Sequence, residues 1–412
     1  MSPAQTHSDG LRRRPLEGLL VLDLAQFLSG PSAALRLADL GARVIKVERP
    51  GSGDICRQLY LSDTQIDGDS TLFHAINRNK ESFAADLKDP QDLAAVKQLI
   101  GRADVLIQNF RPGVIERLGL GYDAVREINP RIVYAGISGY GEDGPWVDLP
   151  GQDLLSQAVS GLMWLTGRAS DGPVPVGLSI ADMLAGHIVV EAVLAALVSR
   201  GLTGEGAHVQ TSLFEAVIDF QFEVLATYLN DGGRLPERAA AHSAHAYLGA
   251  PYGVYRTVDG HLALAMSPAA RLAPLLDLPD WEAQGLDPFL QRDEIQRAIA
   301  ERLCTETTEF WMERLRAEDI WCAPVLNWPQ MLEQEAFKRL HMVQKVAGAP
   351  SPMLATRSPV RVNGRPLLGA FRAPKVGEHT ASIKTEFGVD TQVETTGWNG
   401  DARSYRESGS KP

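Results

Sequence analysis

Several residue patterns that define common protein classes are scarce or missing in this sequence of 412 residues. It has only three cysteines, Cys56, Cys304 and Cys322, which are too few and too scattered for a disulfide framework or a CxxC metal site. The first predicted strand–helix turn has Gly30 alone instead of the GxGxxG motif of dinucleotide-binding proteins. The GxxxxGK(S/T) motif of P-loop NTPases and the GxSxG motif of α/β-hydrolases are also missing. These absences argue against NAD or FAD binding, P-loop chemistry and a hydrolase nucleophile elbow.

An excess of positive charge and a long hydrophobic run are missing as well. Lysine and arginine total 40 against 51 aspartates and glutamates, so the formal net charge is −11. An acidic chain is a poor candidate for non-specific binding to nucleic acids or anionic membranes, and an anionic ligand then requires a local group of basic side chains. The longest apolar run, 188–198, includes Glu191 and is shorter than the about 20 residues of a membrane span. We therefore expect a cytoplasmic protein that binds neither nucleic acid nor a membrane.

The first half of the chain predicts repeated strand–helix units. The apolar run 19–22 suits a strand buried on both faces, a helix is expected to begin at 29–31 and end at Gly41, and a second strand is expected at 44–47. The same alternation continues to a long, mostly apolar and therefore buried helix that begins near Asp182. This pattern predicts an α/β protein with a largely parallel sheet.

The regular alternation of predicted strands and helices ends after about residue 225. A hairpin is predicted at 252–265 with Asp259-Gly260 as its turn, and helices are expected near 293–303 and 307–317. The predicted organisation is a large Rossmann-like domain from 1–225 and 330–412 with a smaller α+β domain at 226–329. The segment 230–246 is interpreted as a linker or binding loop, and the polar tail 393–412 is expected to be loosely held.

Asp182 is the candidate catalytic residue that the local sequence favours. It is the only charge in the apolar and small-residue stretch 176–186, and it stands at a predicted helix start. One interpretation is structural, because a carboxylate there can cap the helix. The other is catalytic, because the helix dipole keeps the carboxylate ionised and an ionised, partly desolvated carboxylate can attack an activated carbonyl. Asp171, in a Gly-Pro turn, is the weaker rival, and His242 and His245 are expected to be solvated and not to bind metal.

An ordered series of short motifs resembles the family III CoA-transferases, or CaiB/BaiF family, which include formyl-CoA transferase and the α-methylacyl-CoA racemases. The likeness runs from about Leu16 to Gly388, and its motifs include Gly-Ala-Arg-Val-Ile-Lys-Val-Glu at 41–48, Asn-Arg-Asn-Lys at 77–80, Val-Leu-Ile-Gln-Asn-Phe-Arg-Pro at 105–112 and Gly-Glu-His-Thr at 377–380. The resemblance implies an interlocked, ring-shaped homodimer. It also implies that coenzyme A and acyl-CoA are substrates, with no permanently bound cofactor and no metal.

The resemblance further implies a mechanism and a set of site residues. An aspartate attacks the donor thioester to give a mixed anhydride, and CoA and the acceptor acid then exchange through further aspartyl intermediates; that aspartate matches Asp182. The basic residues implied at CoA are expected to converge at the strand ends of the large domain. The positions implied to contact CoA are Leu28, Ser29, Arg49, Ala85, Asp86, Leu87, Lys88, Asn109, Phe110, Arg111, Arg117, Gly151 and Gln152.

The sequence differs from two subgroups of the family at key positions, so it does not identify the acceptor acid. Formyl-CoA transferases have Gln where this chain has Leu28, Tyr where it has Gln152, and a glycine run where it has 243–249. These departures argue against oxalate specificity, and the acceptor is expected to be another short or dicarboxylic acid. Racemases have a Gly-His-Asp motif where this chain has Gln152, and glutamine cannot accept and return a proton. CoA transfer is favoured, with an acyl-CoA racemase or an inactive CoA-binding homologue as alternatives.

Overall fold

The computed structural model describes residues 14–59, 61, 64–242, 244–281, 283–348, 353–369 and 371–389. The tail predicted to be loosely held, 393–412, lies outside the described residues.

A six-stranded sheet forms the centre of the larger body. Its strands, in chain order, are β1 (Leu20–Asp23), β2 (Arg43–Glu48), β3 (Lys80–Ala84), β4 (Val105–Gln108), β5 (Val133–Ser138) and β6 (Ala207–Ser212). Their spatial order is β3-β2-β1-β4-β5-β6, and every neighbouring pair is parallel. This confirms the predicted α/β class with a parallel sheet. The strand order reverses between β1 and β4, and ligands of open α/β sheets bind at the carboxyl ends of strands at such a point.

Helices cover both faces of this sheet and make up most of the smaller body. Apolar side chains from both faces of β1 are buried, because Val21 belongs to one hydrophobic core and Leu22 to the other. The helices are α1 (Ser29–Asp39), α2 (Thr71–Asn77), α3 (Pro90–Ile100), α4 (Val114–Arg117), α5 (Tyr122–Ile128), α6 (Asp153–Val159), α7 (Ile180–Thr203), α8 (Leu213–Phe220), α9 (Phe222–Asn230), α10 (Ala269–Leu275), α11 (Arg292–Leu303), α12 (Thr308–Ala317), α13 (Trp328–Glu333), α14 (Glu335–Leu340) and α15 (Thr380–Phe387).

Helix α7 differs from the sequence prediction in its burial. Its buried residues lie on one face, and they are Ala181, Ala185, Gly186, Val189, Val193 and Ala196. The prediction of a largely buried helix is therefore wrong for the single chain, since Val198 and Leu202 are 69% and 86% exposed. By length and composition alone this helix could cross a membrane, a test that the core helices of soluble proteins also pass. The helix is longer than the apolar run 188–198, because alanines, a glycine and isolated polar residues extend it on both sides.

The smaller body has a separate hydrophobic core. Strands β7 (Gly253–Arg256) and β8 (His261–Leu264) form the predicted antiparallel hairpin, and β9 (Cys322–Pro324) pairs with β8. Tyr255, Leu262 and Trp311 are fully buried among the side chains of α10, α11 and α12. The boundaries 226 and 329 stay a prediction.

The chain then runs along the edge of the main sheet. Strands β10 (Val343–Val346) and β11 (Met353–Thr356) pair antiparallel, while 65–66 with 69–70 and 361–362 with 365–366 form two-residue ladders. The backbone amide of His379 donates to the carbonyl oxygen of Ser82 on β3 at 3.0 Å. The Thr380 hydroxyl accepts the amide of Ala84 at 2.9 Å. These bonds hold α15 against the outermost strand.

Candidate active site

Asp182 lies in the first turn of α7, but its carboxylate does not cap that helix. The helix begins at Ile180, and Ser179 at the cap position makes no side-chain bond to it. Instead Asp153, the first residue of α6, accepts the backbone amides of Ala181 at 2.7 Å and Asp182 at 3.3 Å through one carboxylate oxygen. The structural interpretation of Asp182 as the helix cap is therefore wrong. Because Asp153 satisfies these donors, the Asp182 carboxylate is left for other partners.

The environment of Asp182 changes its protonation. Burial, and next the negative charge of Asp153, raise the pKa of Asp182 to about 6, while a hydrogen bond from the Ser29 hydroxyl lowers it. The sequence predicted an ionised carboxylate from its position at the helix end. The structure adds burial and the Asp153 charge, which raise its pKa. With a pKa of about 6 the carboxylate is about nine-tenths ionised at pH 7. A group of this kind is ionised, partly desolvated and more basic than an exposed aspartate, which suits a nucleophile.

Close packing of α7 on α1 places Ser29 beside the first turns of α7. A Cβ atom added to Gly186, one turn after Asp182, would lie 2.6 Å from Ser32 Oγ and 2.8 Å from the Ser29 carbonyl oxygen. Only glycine permits this approach. Gly30 has a matching role on α1, since a Cβ there would lie 2.2 Å from the Ala25 Cβ. The two glycines thus let the loop after β1 reach the start of α7.

A cavity of about 770 Å³ opens at the carboxyl ends of β1, β2, β3 and β4. Seven of the residues predicted to contact CoA line it: Arg49, Ala85, Asp86, Leu87, Lys88, Phe110 and Arg117. They follow three different strands, and parallel strands bring their carboxyl ends to one edge. The remaining lining residues are Leu24, Gln26, Val47, Glu48, Ser52, Gly53, Asp54, Ile55, Gln58, Val114 and Leu118.

Basic side chains with no ion-pair partner give this cavity its electrostatic character. Arg49, Lys88 and Arg117 are exposed, and none of them pairs with an acidic group in the part of the chain that the structure describes. Two of the acidic lining residues are neutralised, because Glu48 pairs with Arg57 at 2.7 Å and Asp54 pairs with Lys46 at 2.8 Å. The cavity can therefore hold a polyanion even though the whole chain is acidic.

Other predicted residues lie outside this lining. Arg49, Lys88 and Arg117 converge at this cavity. Arg111 is exposed three residues after the end of β4 but is not among the lining residues, so its part in the site stays a prediction. The Asn109 amide bonds to both backbone groups of Gln26, at 2.7 and 2.8 Å, and so shapes the cavity wall. Leu28 packs on a small apolar cluster that includes Cys56.

The segment 151–153 contributes to the site through a residue that the sequence analysis did not select. Gly151 packs against Gly139, where an added Cβ would lie 2.5 Å from the Gly139 Cα, and Gln152 is exposed just before α6. Asp153 is the member that reaches α7, and Gln157 four residues later donates to its other oxygen at 2.7 Å. An acid followed by an amide at this helical spacing was the one signal available in the sequence.

The chain matches known proteins over most of its length. The model of CoA-transferase family III matches residues 16–380. The chain belongs to this family. As a family III CoA-transferase it is 31% identical to succinyl-CoA:glutarate CoA-transferase of Homo sapiens, over 92% of this chain and 87% of the human protein. It is 32% identical to acetyl-CoA:oxalate CoA-transferase of Acetobacter aceti, over 90% of this chain and 96% of that protein.

A solved structure agrees with the fold of this family III CoA-transferase. A CaiB/BaiF family protein from Brucella suis is 30% identical, with a TM-score of 0.79 over 91% of this chain and all of that chain. The suspected family and the predicted fold class are thereby confirmed, and the protein is an enzyme that acts on CoA thioesters.

Proposed function

We propose that this enzyme moves CoA from a short-chain acyl-CoA to a free carboxylic acid, with Asp182 as nucleophile. The observation that supports this most is that Asp153, and not Asp182, caps the start of α7. Asp153 satisfies the helix amides, so the Asp182 carboxylate is freed from capping. Close packing at Gly186 places the Ser29 backbone beside the same helix. Residues Leu24 and Gln26 of the preceding loop line the cavity with its basic side chains. One short segment thus connects the nucleophile with the place for CoA.

The proposed reaction has four balanced steps at the Asp182 carboxyl group. The carboxylate attacks the donor thioester carbon, forming a mixed anhydride and expelling CoA thiolate. The thiolate then attacks the aspartyl carbonyl carbon, which gives an aspartyl-CoA thioester and releases the donor acid. The acceptor carboxylate attacks that thioester, forming a second anhydride and expelling CoA thiolate. Finally, the returning thiolate attacks the acyl carbon of the acceptor, releasing the new acyl-CoA and the free Asp182 carboxylate without net proton transfer.

We propose that the cavity holds the nucleotide part of CoA. Arg49 and Arg117 are suited to the phosphates because guanidinium groups bind phosphate oxygens in pairs, and Lys88 adds a third positive charge. The backbone at 85–88 and the ring of Phe110 offer surfaces for the adenine. Leu28, Ser29, Gly151 and Gln152 would lie closer to the thioester, and Asn109 would act by shaping the loop at Gln26.

For the acceptor, we propose a dicarboxylic acid. The support comes from the relatives whose names state glutarate or oxalate as substrate. We also propose a cytoplasmic homodimer of the interlocked kind. Apolar side chains left open on α7 and α9 support an interface there, since Leu202 is 86% and Phe222 71% exposed in the single chain. Light scattering of the purified protein tests the dimer directly.

A screen of acids against several acyl-CoA donors tests the function. Succinyl-, acetyl- and formyl-CoA are incubated with glutarate, oxalate and a panel of monocarboxylic acids, and mass spectrometry identifies the new CoA thioesters. Hydroxylamine or borohydride added during turnover should modify Asp182. Near-normal transfer by Asp182→Ala would refute the mechanism. Deuterium entering the α-carbon from solvent without an acceptor acid would favour a racemase, and CoA binding without exchange would favour an inactive homologue.

A further inference from the structure

The Gly-Glu-His-Thr motif at 377–380 lies against β3, the outermost strand of the main sheet. We call the segment 374–380, which contains the motif, the clasp. The Ser82 carbonyl oxygen accepts the His379 amide at 3.0 Å, and the Ser82 amide donates to His379 Nδ1 at 3.2 Å. The clasp therefore covers the outer edge of this strand.

The other residues of the motif each have a part in this contact. Gly377 has a φ of +68°, and a Cβ added to it would lie 2.9 Å from the Ala84 Cβ, so only glycine fits. Its amide donates to Ser82 Oγ at 2.8 Å. Glu378 closes the turn by accepting the backbone amide three residues before it at 2.8 Å. The Thr380 hydroxyl accepts the Ala84 amide at 2.9 Å.

The contact extends beyond the edge of the sheet to a buried carboxylate on the neighbouring strand. Ser82 Oγ donates to Glu48 Oε1 at 2.8 Å, and Glu48 is 3% exposed. Arg57 Nη2 donates to the same oxygen at 2.7 Å and to the Pro374 carbonyl oxygen at 3.0 Å. The clasp thus reaches Glu48 by two routes, one from Gly377 and one from Pro374. Covering the strand edge alone requires neither route.

Glu48 in turn holds the cavity wall. Its other oxygen, Oε2, accepts the Asp54 amide at 3.0 Å, and a Cβ added to Gly53 would lie 2.8 Å from that oxygen. The Gly53 amide donates to the Arg49 carbonyl oxygen at 2.9 Å, which closes the loop that carries Arg49. The Ala85 amide donates to the Glu48 carbonyl oxygen at 2.9 Å. All five residues line the cavity.

These bonds leave the wall little freedom. A buried carboxylate must keep its donors, because each lost partner leaves a charge that is neither bonded nor hydrated. A displacement of the clasp therefore shifts Glu48 together with the loop bonded to it. Arg49 is sensitive to such a shift, since a guanidinium group binds phosphate oxygens in a fixed paired geometry.

We propose that the clasp is a positioning device for the nucleotide part of CoA: through Glu48 it sets the places of Arg49 and of the backbone at 85–88. This inference rests on the proposed function, which places the nucleotide in the cavity. The clasp then controls the affinity for CoA, while the chemistry at Asp182 does not depend on it.

Variants with matched controls test this by titration calorimetry, with CoA and with its nucleotide part, adenosine 3′,5′-bisphosphate. Thr380→Val keeps the side-chain shape but removes the acceptor of the Ala84 amide, and Ser82→Ala removes the hydroxyl that joins Gly377 to Glu48. Both should weaken binding of both ligands about three- to tenfold. Thr380→Ser keeps the hydroxyl and should restore affinity. Thr385→Val makes the same change at an exposed hydroxyl that bonds within α15, and should bind normally.

Kinetics supply the second readout, with the donor and acceptor that the screen of acids identifies. In Thr380→Val and Ser82→Ala the KM for the acyl-CoA should rise, while kcat and the KM for the acceptor acid stay near the unmodified values. The matching acyl-pantetheine, which lacks the nucleotide, should react equally well with all variants. A merely structural role would instead lower the melting temperature and scale kcat, with KM unchanged.

The proposal is overturned by normal affinity in Thr380→Val, by an equal loss in Thr385→Val, or by a loss confined to kcat. If Ser82→Ala does not fold, Thr380→Val decides alone. Failure of the proposed function has other signatures. A protein that exchanges no CoA would refute transfer while the affinity differences persisted. If Arg117→Ala binds CoA normally, the place of the nucleotide is wrong; if it weakens binding and the clasp variants do not, only the clasp inference is wrong.

Discussion

Replacing Asp153 with asparagine separates the two effects that this carboxylate has on Asp182. Asparagine is as good a helix cap as aspartate, so the amides of Ala181 and Asp182 keep their acceptor. The negative charge is lost, however, and that charge helps to raise the pKa of the nucleophile. We therefore expect the pKa of Asp182 to fall while the helix start stays intact.

The size of the effect follows from the shift at Asp182. Its pKa is raised from 3.8 to about 6, first by burial and second by Asp153. If Asp153 supplies a quarter to a half of this rise, the variant lowers the pKa by about 0.5 to 1 unit. At pH 5 the ionised fraction of Asp182 then increases from about one-tenth to between a quarter and a half.

The assay is kcat/KM of CoA transfer between pH 4.5 and 8, normalised to the neutral plateau. Asp153→Asn should be about 2.5- to 5-fold higher than the unmodified enzyme at pH 5, with its acidic limb displaced to lower pH. Asp148→Asn removes an exposed charge from the same segment and should leave the limb in place. An unmoved or upward-shifted limb in Asp153→Asn, with a normal melting temperature, would refute the reasoning.

Three further predictions concern stability and binding. Asp182→Asn should abolish transfer yet stabilise the fold at pH 7 by up to about 3 kcal/mol. The reason is that a carboxyl whose pKa rises on folding from 3.8 to about 6 destabilises the folded state at pH values above 6. Thermal melts should show no gain in stability near pH 3. Gly186→Ala should cost about 1–3 kcal/mol by calorimetry because its Cβ meets Ser32, whereas Gly201→Ala, with free space in the same helix, should be neutral or stabilising. Arg117→Ala should weaken CoA binding about tenfold or more by titration calorimetry, and the exposed Arg126→Ala should not; equal affinities would remove Arg117 from the phosphate site.

Local sequence patterns predicted the parts of the fold that depend on neighbouring residues. The pair Asp89-Pro90 predicts a helix start, and α3 runs over Pro90–Ile100 with Asp89 as its cap and Pro90 in its first turn. The predicted strand–helix–strand unit gave α1 between two parallel strands. The family resemblance selected Arg49, Lys88 and Arg117, and the rule that parallel strands end at one edge explains why they meet at one cavity.

The parts that were missed depend on partners far away in the chain. Strand β3 was not among the predicted strands; it begins with the charged Lys80, whose partner Asp23 lies in β1. The cap of α7 comes from Asp153, in a different helix. The raised pKa of Asp182 was missed for the same reason, since burial and a second carboxylate are properties of the assembled structure.

The cap that α6 provides for α7 also makes the first turn of α7 dependent on the docking of α6. Most helices carry their own cap, so their first turn can form before they dock. Here the amides of Ala181 and Asp182 are protected from hydrogen exchange through Asp153 only while α6 is in place. Their exchange rates therefore report the docking of α6, and the nucleophile acquires its geometry only when that docking is complete.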